Sequence, residues 1–171
     1  MSPKLRIVVV LAICVVSLDQ LSKLAVEWYV SPYDPVRVIP GFFSITHSRN
    51  PGAALGLFRD ILPVGVFVAL TCAALALIFS FYRSIRDDDR LSATALGLIF
   101  AGAVGNLIDR VWRGEVVDWV QFDLGLFIFP DFNVADSAIV IGVGLLLLDF
   151  FAFGETGEDA EAPEEASEEA G

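Results

Sequence analysis

GAVGNLIDRVWRGEVVDWVQFDLGLFIFPDFNVAD, running from Gly102 to Asp136, decides how this chain is read. It opens as a membrane-length apolar helix carrying Asn106, Asp109 and Arg110. It crosses a short amphipathic loop holding Val116-Val117-Asp118-Trp119 and closes on Phe132-Asn133-Val134-Ala135-Asp136, where another apolar run begins. Ionisable groups at the edge of lipid-spanning segments are costly and rarely incidental. Three carboxylates, two asparagines and an arginine gathered there read as a polar site built into a membrane protein.

The rest of the chain agrees with that class. Of 171 residues, 56% are hydrophobic, and the mean hydropathy is +0.68, more apolar than a soluble domain of this length. The net charge of −11 is uneven: Glu155 to Glu169 holds eight acids and no base, so the remainder sums to −3. No basic nucleic-acid footprint is present. Cys14 and Cys72 lie within apolar runs and read as buried small hydrophobes rather than a disulfide framework. One histidine and no Cys/His cluster leave a zinc site without its usual ligands.

Working outward, four spans are expected, at about 7–30, 61–82, 91–112 and 133–153. The first competes with a signal peptide, since Lys4 and Arg6 precede an apolar run. No small-x-small cleavage site follows; Trp28 and Tyr29 suit an interfacial aromatic belt instead. About 24 helical residues reach about 36 Å, enough to cross with tilt. Between the first two spans, 31–60 is broken by Pro32, Pro35 and Pro40. Its Val36–Ile39 and Phe42–Thr46 have strand-like composition, and Asn50-Pro51-Gly52 is turn chemistry. A small outward β element lying against the bilayer follows, with Phe42, Phe43, Leu55 and Phe58 placed to dip into lipid or cover a substrate. The fold class is thus an all-α membrane protein: a four-helix domain over 1–153 with that β element, and an acidic tail over 154–171 that lacks material for a core and should be disordered. Lys4, Arg6, Arg83, Arg86 and Arg90 occupy the shorter segments. The positive-inside rule therefore places both termini in the cytoplasm and the polar site outward.

Each polar constellation has a plain structural reading beside a functional one. Asp19 and Lys23, at i and i+4, share a helix face and form an ion pair that holds the bundle or positions a substrate. Asn106, Asp109 and Arg110 lie on neighbouring faces, with Gly102 and Gly105 one turn earlier permitting close backbone approach; they read as a packing seam finished by an ion pair, or as donors to a substrate backbone. Asp136 alone is an ordinary helix-start carboxylate. Asp118, among Val116, Val117 and Trp119, sits where lone ionisation is disfavoured. If the two meet, one shared proton suits water activation, and Asn133 one turn earlier holds Asp136 in orientation. The residues alone do not decide which of Asp19, Asp109, Asp118 and Asp136 form the pair. Ser137 and His47 lack a third partner for a Ser/His mechanism. A rival class, a small transporter or channel subunit, requires a polar path to the cytoplasmic side. Apart from Cys14, the stretches nearest that side carry no ionisable residue.

Five blocks together resemble the lipoprotein signal peptidase (signal peptidase II) family: Asp19-Gln20-Leu21-Ser22-Lys23, Arg49-Asn50-Pro51-Gly52-Ala53-Ala54, Gly102 to Arg110, Val116 to Trp119, and Phe132 to Ser137. They run in the family's order and span residues 5 to about 153. The resemblance implies an aspartic endopeptidase of the bacterial inner membrane that cuts prolipoproteins just before a diacylglyceryl-modified cysteine, without metal or organic cofactor. It implies Asp118 and Asp136 as the catalytic pair. Asp19, Lys23, Asn50, Gly52, Gly102, Asn106, Arg110 and Asn133 fall on supporting or substrate-lining positions, and Asp109 is assigned to structure. Implied partners are prolipoproteins and membrane lipids, and implied inhibitors are cyclic peptides of the globomycin type. Pro51 stands where threonine is common, Leu55 where an aromatic is common, and Trp119 replaces the usual phenylalanine.

Overall fold

The computed structural model describes residues 1–52 and 62–153. Elements follow in the order α1 (Pro3–Tyr29), β1 (Val36–Ile39), β2 (Phe43–Asn50), α2 (Val64–Ser84), α3 (Arg90–Trp112), β3 (Val116–Phe122) and α4 (Val134–Phe153). The acidic tail, and Ala53, Ala54, Leu55, Phe58 and Arg59 of the segment between the first two spans, lie outside the described residues. Four helices are long and apolar enough to cross a membrane. Two of them start on side-chain caps. Ser2 Oγ accepts from Leu5 N, with Pro3 in the first turn, and Asp89 accepts from Ser92 N. Both satisfy N–H groups that a helix start leaves open.

Burial is distributed as a lipid environment allows. No residue of α2 is buried, and Val140, Ile141, Leu147 and Leu148 of α4 face outward. Lipid tails are as apolar as these side chains, so such exposure carries no penalty there. The same logic corrects the reading of the cysteines: Cys14 and Cys72 are both exposed on outward helix faces, because in a bilayer an apolar run need not turn inward. The interior is a stripe of small residues on α3: Ala93, Ala95, Gly97, Ala101, Gly102, Ala103 and Gly105. It lets α1 and α4 pack closely against a central α3. A Cβ on Gly102 would collide with the Ala135 carbonyl and the Ile139 side chain of α4. At the opposite end of the pair, Ser92 Oγ donates to Asp149 Oδ2 at 2.8 Å.

The β element differs from expectation in one respect. Val116–Phe122 is a strand, β3, and not a loop. The sheet is antiparallel in the order β1-β2-β3. The β2–β3 register runs Phe43↔Phe122, Ser44↔Gln121, Ile45↔Val120, then Ser48↔Asp118, Arg49↔Val117, Asn50↔Val116. Between Ile45 and Ser48, β2 advances three residues while β3 advances two. This bulge adds local twist beside the pairing of Ser48 with Asp118.

Candidate active site

Two layers of polar side chains meet where α1 ends, α3 ends and α4 begins. The deeper layer is an ion cluster. Lys23 Nζ lies 2.8 Å from Asp19 Oδ2 and 2.8 Å from Asp109 Oδ2, and donates to Asn106 Oδ1 at 3.1 Å. These three contacts match the three protons of an ammonium. Asp19, Lys23 and Asp109 are all 0% exposed, a placement tolerable only because each charge is paired and its spare lone pairs are filled. Asp19 Oδ1 accepts from Ala135 N at 3.0 Å. Asp109 Oδ1 accepts from Arg113 Nη1 at 2.7 Å and Gln20 Nε2 at 2.9 Å, and its Oδ2 from Val117 N at 3.2 Å. Asp109 therefore ties α3 to α1 and to the start of β3. Its cations are Lys23 and Arg113, not its neighbour Arg110. A Cβ on Gly105 would press to 2.7 Å from Asp19 Oδ2, so the helix needs glycine where this cluster sits.

The upper layer holds Asp118 and Asp136. β3 supplies Asp118, 3% exposed, and the first turn of α4 supplies Asp136. Asn133 connects them. Its Oδ1 accepts from Asp136 N at 2.9 Å while Asp136 Oδ2 accepts from Asn133 N at 3.2 Å, the reciprocal pattern of a capping box. Its Nδ2 donates to Asp118 Oδ1 at 2.7 Å. Asn106 Nδ2 donates to Asp136 Oδ1 at 2.8 Å. Because Lys23 occupies Asn106 Oδ1, the buried cation fixes which end of that amide faces Asp136. Asn50 does the same for Asp118: Gly52 N donates to Asn50 Oδ1 at 3.0 Å, and Asn50 Nδ2 donates to Asp118 Oδ2 at 3.1 Å. Gly52 adopts φ +122 to make that turn, a conformation side-chain-bearing residues rarely adopt.

Neither carboxylate of the upper layer has an ion-pair partner among the described residues. Burial, followed by the nearby Asp136 charge, pushes Asp118 up to about 7; the amides of Asn50 and Asn133 and the charge of Lys23 pull the other way. Arg110 donates to its own helix carbonyl at Asn106, at 3.4 Å, and lies 5.9 Å from the Phe67 ring centroid. Its Nε is buried without a protein partner among the described residues.

Asp19, Lys23, Asn50, Asn106, Asp109, Asp118, Asn133 and Asp136 thus converge in one network, with Arg110 beside Asn106 and Gly52 and Gly102 acting through backbone turn and helix contact. Ser137 Oγ donates to the Asn133 carbonyl and His47 Nδ1 faces the Val30 carbonyl, so they do not form a pair. Sequence reading missed the outer supports. Arg113 Nε bonds Glu27 at 3.1 Å and its Nη1 bonds Gln20 at 3.0 Å, and Arg49 lies near both Glu27 and Glu115. Only the i, i+4 spacing of Asp109 and Arg113 offered a signal for them.

Comparison with known proteins follows this geometry. The family model for signal peptidase (SPase) II matches residues 11–152. A lipoprotein signal peptidase of Geobacter metallireducens is 45% identical over 150 residues, covering 87% of this chain and 93% of its own. Its counterpart in Geobacter sulfurreducens is 43% identical over 152 residues, covering 87% and 94%. A solved bacterial membrane enzyme superposes with a TM-score of 0.79 at 34% identity, covering 91% of this chain and 94% of its own. With four membrane-length helices and these relatives, the chain is a multi-pass membrane protein, and it belongs to the signal peptidase II family.

Proposed function

We propose that this protein removes signal peptides from prolipoproteins, with Asp118 and Asp136 as its catalytic pair. The observation that carries the assignment is the contrast in charge compensation: these are the two buried or half-buried carboxylates at the site that only amides hold, and one of them keeps a proton near neutral pH. In the reaction, a water sits between the carboxylates and the scissile carbonyl. Asp136, aligned by Asn106 and Asn133, takes a proton as the water oxygen attacks the carbonyl carbon. Asp118 gives its proton to the carbonyl oxygen, producing a neutral gem-diol. Asp136 then returns its proton to the leaving nitrogen, Asp118 recovers one from a diol hydroxyl, and the C–N bond breaks. This route uses neither metal nor organic cofactor. Arg110 supplies a donor to the substrate backbone; Asp19, Lys23 and Asp109 keep Asn106 and β3 in register; Gly52 and Gly102 let the Asn50 turn and α4 approach.

The substrate's apolar signal helix and the acyl chains of its diacylglyceryl cysteine reach the site laterally from the bilayer. Globomycin-type cyclic peptides compete for the aspartate pair. The site faces outward from the cytoplasmic membrane, with both termini in the cytoplasm and residues 1–153 as the working domain. Trp28, Tyr29 and Trp112, all exposed at the site end, support that placement as interfacial aromatics. Lys4, Arg83, Arg86 and Arg90 at the other end support it as positive-inside charges. The deciding experiment is cleavage of a lipid-modified prolipoprotein in detergent by wild type, Asp118→Asn and Asp136→Asn. Loss in both folded variants is expected; full activity in either removes it from the pair.

A further inference from the structure

Residues 123–131, between β3 and α4, form a closed hairpin whose tip is apolar. Phe129 N donates to the Phe122 carbonyl, Leu124 N to the Phe127 carbonyl, and Gly125 N to Asp123 Oδ1. The tip is therefore held in shape by its own backbone. It nonetheless exposes Leu126 at 97%, with Leu124, Phe127, Ile128 and Phe129 also exposed. The six residues from Leu124 to Phe129 carry no charge. The charges flank them: Asp123 in the turn, and Asp131, whose carboxylate accepts from Thr46 Oγ1 and Gln121 Nε2. An apolar patch of this kind on a rigid hairpin marks an interaction surface.

Beneath the tip is an open hollow of about 360 Å³ lined by Phe42, Phe122, Leu124, Phe129 and Phe132. The rings contact one another in series, Phe42 to Phe122 tilted at 5.3 Å, Phe122 to Phe132 stacked at 6.1 Å and Phe132 to Phe129 edge-on at 5.7 Å. Phe132, the ring shared by the last two contacts, immediately precedes Asn133. The neighbouring strand β1 adds exposed Val36, Val38 and Ile39. The hairpin leads directly into the apolar span α4, whose first residue, Val134, follows Phe132 by two positions, so this surface stands where that membrane-length helix begins.

We propose that the 124–129 hairpin is a membrane wedge that buries its tip among the acyl chains of the leaflet next to the site. A three-residue arm reaches about 10 Å, the upper end of the depth to which interfacial apolar faces sink into the headgroup/acyl boundary. Seated there, the hairpin fixes Phe132, and through it Asn133, relative to the bilayer. The inference goes beyond the peptidase reading and does not depend on it.

The test uses the full chain in phosphatidylcholine/phosphatidylglycerol vesicles, with Cys14→Ala and Cys72→Ala and one new cysteine, Leu126→Cys, carrying an environment-sensitive fluorophore. Arg86→Cys, at an exposed loop position, provides the water-facing control. The Leu126 label is expected to emit blue-shifted light, to be quenched at least twofold by acyl-chain spin-labelled lipid, and to resist aqueous iodide. Quenching by iodide at both positions alike would overturn the proposal. Resistance to iodide without quenching by the lipid spin label would also overturn it, since a second copy of the chain or another protein would then cover the tip.

Discussion

Two clusters of carboxylates lie within one hydrogen-bonded network, and they are built on opposite terms. Asp19 and Asp109 share a fully buried lysine, and Asp109 adds Arg113. Asp118 and Asp136 receive amide and backbone N–H donors but no ion pair among the described residues. The side-chain type is the same; the compensation differs. The first pair, facing a buried ammonium, holds helices together through ion pairs. A carboxylate facing only amides beside a second carboxylate is cheaper to protonate. Under the proposed assignment, proton transfer uses the second arrangement, and the first packs beside it.

The sharpest way to break this comparison is to neutralise one member of the upper pair. Asp118→Asn and Asp136→Asn are each expected to lower prolipoprotein cleavage by about 10³-fold or more, with thermal unfolding in detergent little changed. Next in size is the removal of the compensating cation. Lys23→Met leaves two buried carboxylates facing each other and is expected to cost about 3–5 kcal/mol, read as a lower unfolding temperature or loss of the protein from the membrane fraction. If Lys23→Met were stable and Asp118→Asn unfolded the protein, the two clusters would have to exchange roles.

The pH dependence sharpens the comparison further. Asp118 is raised to about 7, so the folded protein holds a proton there that the unfolded chain releases near pH 4. The sign follows: this group's contribution favours the folded state most at low pH, declines as pH rises between those values, and is constant above about 7. Activity that needs the Asp118 proton should fall as pH climbs through about 7, in a profile belonging to the pair rather than to one residue. The smallest expected effect is Asn50→Ala. Removing a donor that favours the charged form moves that alkaline limb to higher pH and slows cleavage about tenfold. A limb that stays in place would mean Asn50 does not set the Asp118 proton.

The legibility of the sequence follows from how local each feature is. Four uncharged runs announce four helices because hydropathy is a local property. The Asp19–Lys23 pair is legible for the same reason, being one turn apart. Strand β3 was not. Val116, Val117 and Asp118 are all buried, so the alternation that marks a strand is absent, and its partner β2 lies some seventy residues away. The choice among four aspartates was also out of reach of spacing alone, since it rests on Asp109 meeting Lys23 across 86 residues. The family resemblance selected Asp118 and Asp136, and the geometry supplies a physical reason for that selection.

The hydrogen bond from Ala135 N to Asp19 Oδ1 joins the last helix to the first across 116 residues. During synthesis, then, the earlier helices can enter the bilayer with their lysine already paired to Asp19 and Asp109. Asn133 and Asp136 arrive only with the final span. Under the proposed assignment, insertion would thus precede proteolytic competence, and a chain cut short before its last helix should insert without cleaving.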